Sequence, residues 1–301
     1  MIERPTVFVL GAGASAPFGF PVGRALLNSV CEIPNARVSR VLGPLKSLGF
    51  TTAAVEQFCT ELRYSGASSV DAFLEHRTEF LGVGKSLIAA VLIPCEQEDR
   101  LFEAQQDGVN WYKYLRPRLI GTPDEFSKNK LSIITYNYDR SFEHFLYTAL
   151  RYTYSLSQED CTAMCRQIPV LPLHGRLGCL PWQGDGGRDY NPQVSVDSLR
   201  RAAESIRVIH EDVEGDPAFE QARQLIAQAD LIVFLGFGYN PVNLKRLIPD
   251  FTVLKGKTLL GTCFSMRDAE MKEIRKRSPG IELAPSGWDN LSLLRERVIL
   301  Q

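Results

Sequence analysis

Five short apolar runs punctuate the chain, at Thr6–Leu10 and at residues 131–136, 170–173, 231–235 and 258–260. Each has the composition of a strand and is followed by Gly, Asn or His and then, in most cases, by apolar residues at helical spacing. That alternation predicts an α/β protein, a Rossmann-like doubly wound parallel sheet. The interval between the first two runs breaks the rhythm. Residues 53–64, 70–81, 86–91 and 100–119 repeat apolar positions at helical spacing with no strand-like run among them, which predicts a helical insertion over about 40–128. A second interval, about 178–228, opens with Gln183-Gly184-Asp185-Gly186-Gly187-Arg188 and then turns helical. That glycine-rich loop is a candidate mobile element over a site. Near the C-terminus two helices are predicted: 269–277, behind the capping-box spacing Ser265-Met266-Arg267-Asp268, and 290–300. Lys272, Arg275, Lys276 and Arg277 suit the negative end of the first of these.

Composition narrows the class without naming a function. With 301 residues, 45% of them apolar, the chain can bury a large core, and a single domain over 1–301 accounts for it. A formal charge of −1 gives no general electrostatic case for nucleic acid or for an anionic membrane. The seven cysteines, Cys31, Cys59, Cys95, Cys161, Cys165, Cys179 and Cys263, are scattered and form no Cys-x-x-Cys, which favours reduced thiols in a cytosol. Cys161 and Cys165 are four apart on a predicted helix but lack a second close pair, so no metal is expected. No segment approaches the roughly 20 apolar residues of a membrane span, and the first apolar run is too short for a signal sequence. The expectation is a soluble, cytoplasmic protein.

The chemistry gathers behind the strands. Thr6–Leu10 leads into Gly11-Ala12-Gly13-Ala14-Ser15-Ala16-Pro17-Phe18-Gly19-Phe20-Pro21, and a strand, close glycines and then a helix is how a chain presents backbone amides to a phosphate. Gly11, Gly13 and Ala16 formally meet the dinucleotide fingerprint of dehydrogenases. The rest of that fingerprint fails, because Pro17, Gly19 and Pro21 interrupt the helix start and the nearest acid, Glu32, closes a helical segment instead of a second strand. Thr135-Tyr136-Asn137-Tyr138-Asp139, His174-Gly175, Gly236-Phe237-Gly238-Tyr239-Asn240 and Gly261-Thr262 follow the other runs, at the strand ends where open sheets bind ligands. Asn137 or Asp139 could equally cap the next helix, and His174 could be a hydrogen-bonded core histidine. His76, His144 and His210 fall in helical segments and read as structural or surface residues.

These motifs resemble the sirtuin, or SIR2-like, family. Gly11, Ala12, Gly13, Ser15, Gly19, Pro21 and Arg24 match its glycine loop without a gap. Thr135, Asn137 and Asp139 match its Thr-x-Asn-x-Asp, and His174 and Gly175 its His-Gly, in the same order. The resemblance implies NAD as substrate. Gly11, Ala12, Gly13 and Ser15, with Pro21 and Arg24, would form the cofactor loop, while Gly236, Gly238 and Asn240 would lie beside the adenosine ribose. Asp139 would hold the nicotinamide amide, Asn137 would position the ribose or a water, and His174 would be the general base. The four-cysteine zinc module of sirtuin deacylases has only Cys179 in its place, and Gly23 stands where sirtuins put an aromatic residue before the loop arginine. The segments 136–143 and 234–239 look closer to bacterial SIR2-like proteins of antiviral defence, which commonly hydrolyse NAD. The resemblance therefore implies an NAD+ glycohydrolase controlled by self-assembly as a homo-oligomer or by a separate partner such as a HerA-like ATPase. An NAD-dependent deacylase or ADP-ribosyltransferase is the alternative within enzymes, and a non-catalytic NAD or ADP-ribose sensing module the alternative outside them.

Overall fold

All five runs become strands in the computed structural model, which describes residues 1–35, 41–103, 107–119, 121–184, 186–208 and 215–300. They are β1 (Thr6–Leu10), β2 (Leu131–Thr135), β3 (Val170–Pro172), β4 (Leu231–Leu235) and β5 (Thr258–Gly261), joined by a sixth, β6 (Ile281–Leu283). Every pairing is parallel, and the order across the sheet is β3-β2-β1-β4-β5-β6. This is the doubly wound Rossmann-like α/β arrangement, with the direction of winding reversing between β1 and β4. Sequence patterning missed β6 because three residues behind the Pro279-Gly280 turn make too short a run to stand out.

Successive residues of a strand face opposite sides of the sheet, and the core divides accordingly. Phe8, Leu10, Ile133, Val233 and Leu235 face one apolar layer, and Val7, Val9, Ile134, Ile232 and Phe234 face the other. Every residue of β1 and β4 is buried, as expected for central parallel strands covered on both faces.

Between β1 and β2 the chain is helical: α1 (Gly23–Glu32), α2 (Leu42–Ser47), α3 (Thr52–Tyr64), α4 (Val70–His76), α5 (Leu81–Leu92), α6 (Asp99–Phe102), α7 (Trp111–Leu119) and α8 (Pro123–Phe126). Two of the predicted helices prove to be interrupted. The run 70–81 breaks at Arg77, whose backbone leaves the helical region (φ −126°, ψ 67°) while its guanidinium lies 4.9 Å over the Phe80 ring and pairs with Glu61 and Glu79. The run 100–119 is divided at Asn110, whose amide donates to the Leu101 carbonyl and whose oxygen accepts from the Lys113 amide, starting a new helix. Helical periodicity reports which face is apolar and is blind to such side-chain breaks.

Thr78–Cys95, centred on α5, is long and apolar enough to cross a membrane, contrary to the expectation that no segment would be. More than half of it is buried inside the protein, against helices that include α3 and α11 (Val196–Ser205), so it reads as a core helix of a globular domain. The remaining helices are α9 (Ser141–Tyr154), α10 (Gln158–Cys165), α12 (Pro217–Gln228), α13 (Pro241–Leu247), α14 (Asp268–Arg277) and α15 (Asn290–Glu296). The start of α14 differs from the expected box: the Glu270 carboxylate accepts from the Arg267 amide, while Ser265 takes a left-handed conformation outside the helix.

The residues at the two ends of the glycine-rich loop are anchored. Arg188 reaches the Leu177 carbonyl and the Glu96 carboxylate, its amide donates to the Cys179 carbonyl, and the neighbouring Trp182 ring stacks on Tyr147 of α9. Asp185 and His210 lie outside the described residues.

Candidate active site

The glycines after β1 are required by a backbone crossing. The Gly11 amide donates to the Leu235 carbonyl and the Gly13 amide to the Gly236 carbonyl, each at 3.0 Å, so the loop after β1 lies directly on the loop after β4. A Cβ on Gly11 would sit 2.6 Å from the Gly236 oxygen, and one on Gly13 2.8 Å from the Gly236 Cα. Gly236 itself has φ +58°, and a Cβ there would collide with the Ala14 nitrogen. The amides of Ala14 and Ser15 bond back to Gly11 and Ala12, closing a tight turn. Carbonyls are held from outside: Trp111 Nε1 donates to Ala14 and Asn290 Nδ2 to Gly13. Of the glycine-loop amides, those of Gly11, Gly13, Ala14 and Ser15 thus serve the fold, which is less open to a phosphate than the sequence pattern suggests.

Ser15 is where this loop meets the end of β2. Its Oγ donates to Asp139 Oδ2 at 2.6 Å and accepts from Asn137 Nδ2 at 3.0 Å. The second hydrogen of Asn137 Nδ2 goes to the Gly11 carbonyl at 2.9 Å, and the Asn137 backbone amide donates to Thr135 Oγ1 at 3.0 Å. With both Nδ2 hydrogens engaged, a further partner of this side chain must be a donor to Oδ1. Asp139 Oδ1 accepts from the backbone amide and hydroxyl of Ser141, whose Oγ is 2.7 Å from the Tyr112 hydroxyl. Asp139 therefore does brace the first turn of α9, in addition to its place beside Ser15. Ala12, Ser15 and Pro21 from the first loop, Asn137 and Asp139 after β2, and Asp71 from α4 line a cleft of about 100 Å³. None of the described residues of 183–188 lines it.

His174 follows β3, and its position depends on the glycine behind it. Gly175 has φ +70° and bridges to Ile206, where a Cβ would strike the Ser205 carbonyl. The Arg207 amide donates to the His174 carbonyl at 2.8 Å. The residue is 8% exposed, with its ring edge-on to Tyr136 at 5.3 Å between centroids and 6.0 Å from Tyr138. Nδ1 lies 3.9 Å from Asp71 Oδ1, and Asp71 in turn accepts from the Tyr138 hydroxyl. Nε2 is buried and has no hydrogen-bond partner among the described residues. Burial holds the imidazole pKa below its ordinary range, with the Asp71 carboxylate opposing that shift. Neither ring nitrogen is within hydrogen-bond distance of a partner among the described residues: Nδ1 has Asp71 at 3.9 Å, and Nε2 is sealed among aromatic neighbours.

The other expected binding residues are placed differently. Pro21 is half-buried at the cleft wall, and Arg24 is exposed in the first turn of α1. Gly236 serves the crossing just described, Gly238 is exposed, and Asn240 caps α13 by accepting from the Val242 and Asn243 amides. These three stand behind β4 and do not line the cleft. His76 is exposed at the end of α4, and His144 stacks on Tyr190 beside Glu98.

Sequence reasoning missed Asp71, which comes from the helical layer and carries no motif; its local signal is only the capping Ser69 two residues earlier. It also missed a buried ionic cluster next to the site. Arg140, fully buried, makes a bidentate pair with Glu96 at 2.8–2.9 Å and donates to the carbonyls of Cys179, Arg188 and Asp189. Cys161 and Cys165 are both buried on α10, and among the described residues no group of three or more His, Cys, Asp or Glu side chains is arranged to hold a metal.

Fold and site define a Rossmann-like α/β protein in which polar residues behind β1 and β2 meet beside the switch point of its sheet. No family model and no curated protein matches this chain.

Proposed function

We propose that the protein is a SIR2-like NAD+ glycohydrolase, converting NAD+ and water to nicotinamide, ADP-ribose and a proton. The observation that carries this reading is the meeting of Ser15, Asn137 and Asp139 in one hydrogen-bonded cleft, with His174 behind the cleft wall, its Nδ1 near the cleft-lining Asp71 and its buried Nε2 without a partner among the described residues. The order and strand-end placement of these residues are those of the sirtuin motifs they resemble.

Breaking the bond between the ribose C1′ and the nicotinamide nitrogen develops oxocarbenium character, so the site must orient the ribose and limit access of stray water. Asn137 Oδ1 is available to a ribose hydroxyl or the attacking water, because its Nδ2 is already held. Asp139 keeps acceptor capacity for the carboxamide of nicotinamide beyond its bonds to Ser15 and Ser141. His174 accepts the proton released as the hydroxyl oxygen is engaged, and the bonding pair leaves with neutral nicotinamide. A cleft of about 100 Å³ is far below the roughly 300–1,000 Å³ of small-molecule sites. It suits the reacting end of the dinucleotide, with the remainder extending outside the cleft toward Gly236, Gly238 and Asn240 behind β4. The proposed setting is the bacterial cytoplasm, as the NAD-depleting effector of an antiphage system, acting as a homo-oligomer or with a HerA-like ATPase.

Chromatography of NAD incubated with the wild type, Asn137→Ala and His174→Ala tests the reading. Both variants are expected to lose at least about 100-fold in rate, the scale of a removed general base or positioning group. Near-normal hydrolysis in both would place the chemistry elsewhere. Binding of NAD by the wild type without release of nicotinamide, even after assembly, would favour a sensing module. Appearance of labelled acceptor or acyl-ADP-ribose in place of free ADP-ribose would favour a transferase or deacylase.

A further inference from the structure

The helical layer between β1 and β2 does more than cover the sheet. Its helix α4 delivers a carboxylate to the buried histidine, and α4 is held there by a second contact one turn on, where Glu75 pairs with Arg246 of α13 at 3.1 Å. Asp71 touches three things: it lines the cleft, accepts from the Tyr138 hydroxyl and lies 3.9 Å from His174 Nδ1. We propose that Asp71 is the positioning residue of His174, fixing the ring proton on Nδ1 and so leaving the lone pair on Nε2. This role rests on the glycohydrolase reading only for its consequence in catalysis; the effect on the imidazole stands by itself.

Which nitrogen of a histidine carries the proton is set by the partner of the other nitrogen. The partners on offer here are asymmetric. Nδ1 faces a carboxylate and Nε2 has no partner among the described residues, so protonation of Nδ1 leaves a lone pair on Nε2 at least cost. The separation of 3.9 Å is longer than a hydrogen bond, as is common for orienting contacts before substrate tightens a site. The Tyr138 hydroxyl, bonded to the same carboxylate oxygen, limits the rotamers open to Asp71. The charged and titratable groups around the ring are Asp71 and Glu75 from α4, Tyr136 and Tyr138 after β2, Arg246 from α13 and Arg207 after α11. Asp71 is the carboxylate within 4 Å.

The test uses the full chain as wild type, Asp71→Asn and Asp71→Ala. Asp71→Asn keeps an acceptor for Tyr138, and thermal unfolding confirms that each variant is folded. Nitrogen NMR of the imidazoles, with His174 assigned by its loss in His174→Gln, reads the tautomer without reference to activity. The wild type is expected to hold His174 with the proton on Nδ1, and both Asp71 variants to show a mixture of tautomers. The kcat for NAD cleavage should fall roughly 10-fold or more with KM nearly unchanged, and the acid limb of the pH–rate profile should move to lower pH as the nearby negative charge is lost. An unchanged tautomer in both variants would overturn the proposal, as would a raised KM with kcat unchanged, which would make Asp71 a substrate contact. If the wild type releases no nicotinamide, the glycohydrolase reading falls while the tautomer measurement still decides the role of Asp71.

Discussion

Asp139 and Arg140 are neighbours in sequence and open onto two buried polar clusters of opposite character. On the Arg140 side, Glu96, Arg140 and Arg188 are saturated: each guanidinium has several acceptors, and the carboxylate is shared by both. Beyond Asp139, the group around His174 is incomplete, with Nε2 unpartnered among the described residues and Nδ1 still short of a hydrogen bond to Asp71. A low-dielectric interior makes full satisfaction stabilising and partial satisfaction costly. The saturated cluster fastens the segment after β3 to the helical layer, while the incomplete one keeps a nitrogen available for a proton. The fold tolerates the second because the first and the strand crossing hold the frame around it.

The largest expected break in this comparison is Glu96→Ala. It leaves Arg140 and Arg188 buried without their carboxylate and should cost about 3–5 kcal/mol in denaturant unfolding, the range for removing one partner of a buried pair. If the loss were below about 1 kcal/mol, the cluster would not be the fastening described. On the proposed glycohydrolase function, His174→Ala should do the reverse, lowering NAD cleavage by at least about 100-fold while unfolding at nearly the wild-type denaturant midpoint. Gly236→Ala tests the crossing that supports both. A positive φ and a clash with the Ala14 nitrogen should cost about 1–3 kcal/mol, against a Gly→Ala gain where space and conformation allow.

Smaller effects sharpen the contrast. The His174 pKa is lowered on folding, so the unfolded chain binds the extra proton more readily. This residue's contribution is present above the ordinary value of 6.5 and is lost as pH falls through and below it. His174→Gln should flatten the acid side of the stability–pH curve, measured by denaturant midpoints across that range. Unchanged acid sensitivity would assign it to other groups, such as His144, whose pKa burial also lowers. Finally, Ser69→Ala removes the cap of the helix that carries Asp71, where the Ser69 hydroxyl accepts from the Ala72 amide. The expected cost is about 1 kcal/mol, together with a modest loss of cleavage rate if α4 positions His174.

The strands show what sequence patterning reads well. β1 and β4 were recognised with their bounds because a central parallel strand is a local apolar run, and the polar residues behind β1, β2 and β3 stood out against those runs. β6 escaped because it is three residues long at the sheet edge. Within the site, Ser15, Asn137 and Asp139 stand out in the sequence as polar residues behind strands, and the structure joins them. Gly236, a candidate for nucleotide contact on its motif, also serves a backbone crossing. Both uses require glycine for the same steric reason, so the residue type alone does not separate them.

Sequence by itself therefore determined the α/β class, five of the strands and the chemical identity of the strand-end groups, all of which are written in local composition and spacing. Tertiary structure alone decided that the loop after β1 would lie on the loop after β4, that Glu96 would meet Arg140 and Arg188, and that Asp71 would reach His174. These contacts join residues far apart in the chain through the lateral order of the strands and the seat of α4. No local periodicity encodes either, because both follow from how already formed elements bury their apolar faces against one another.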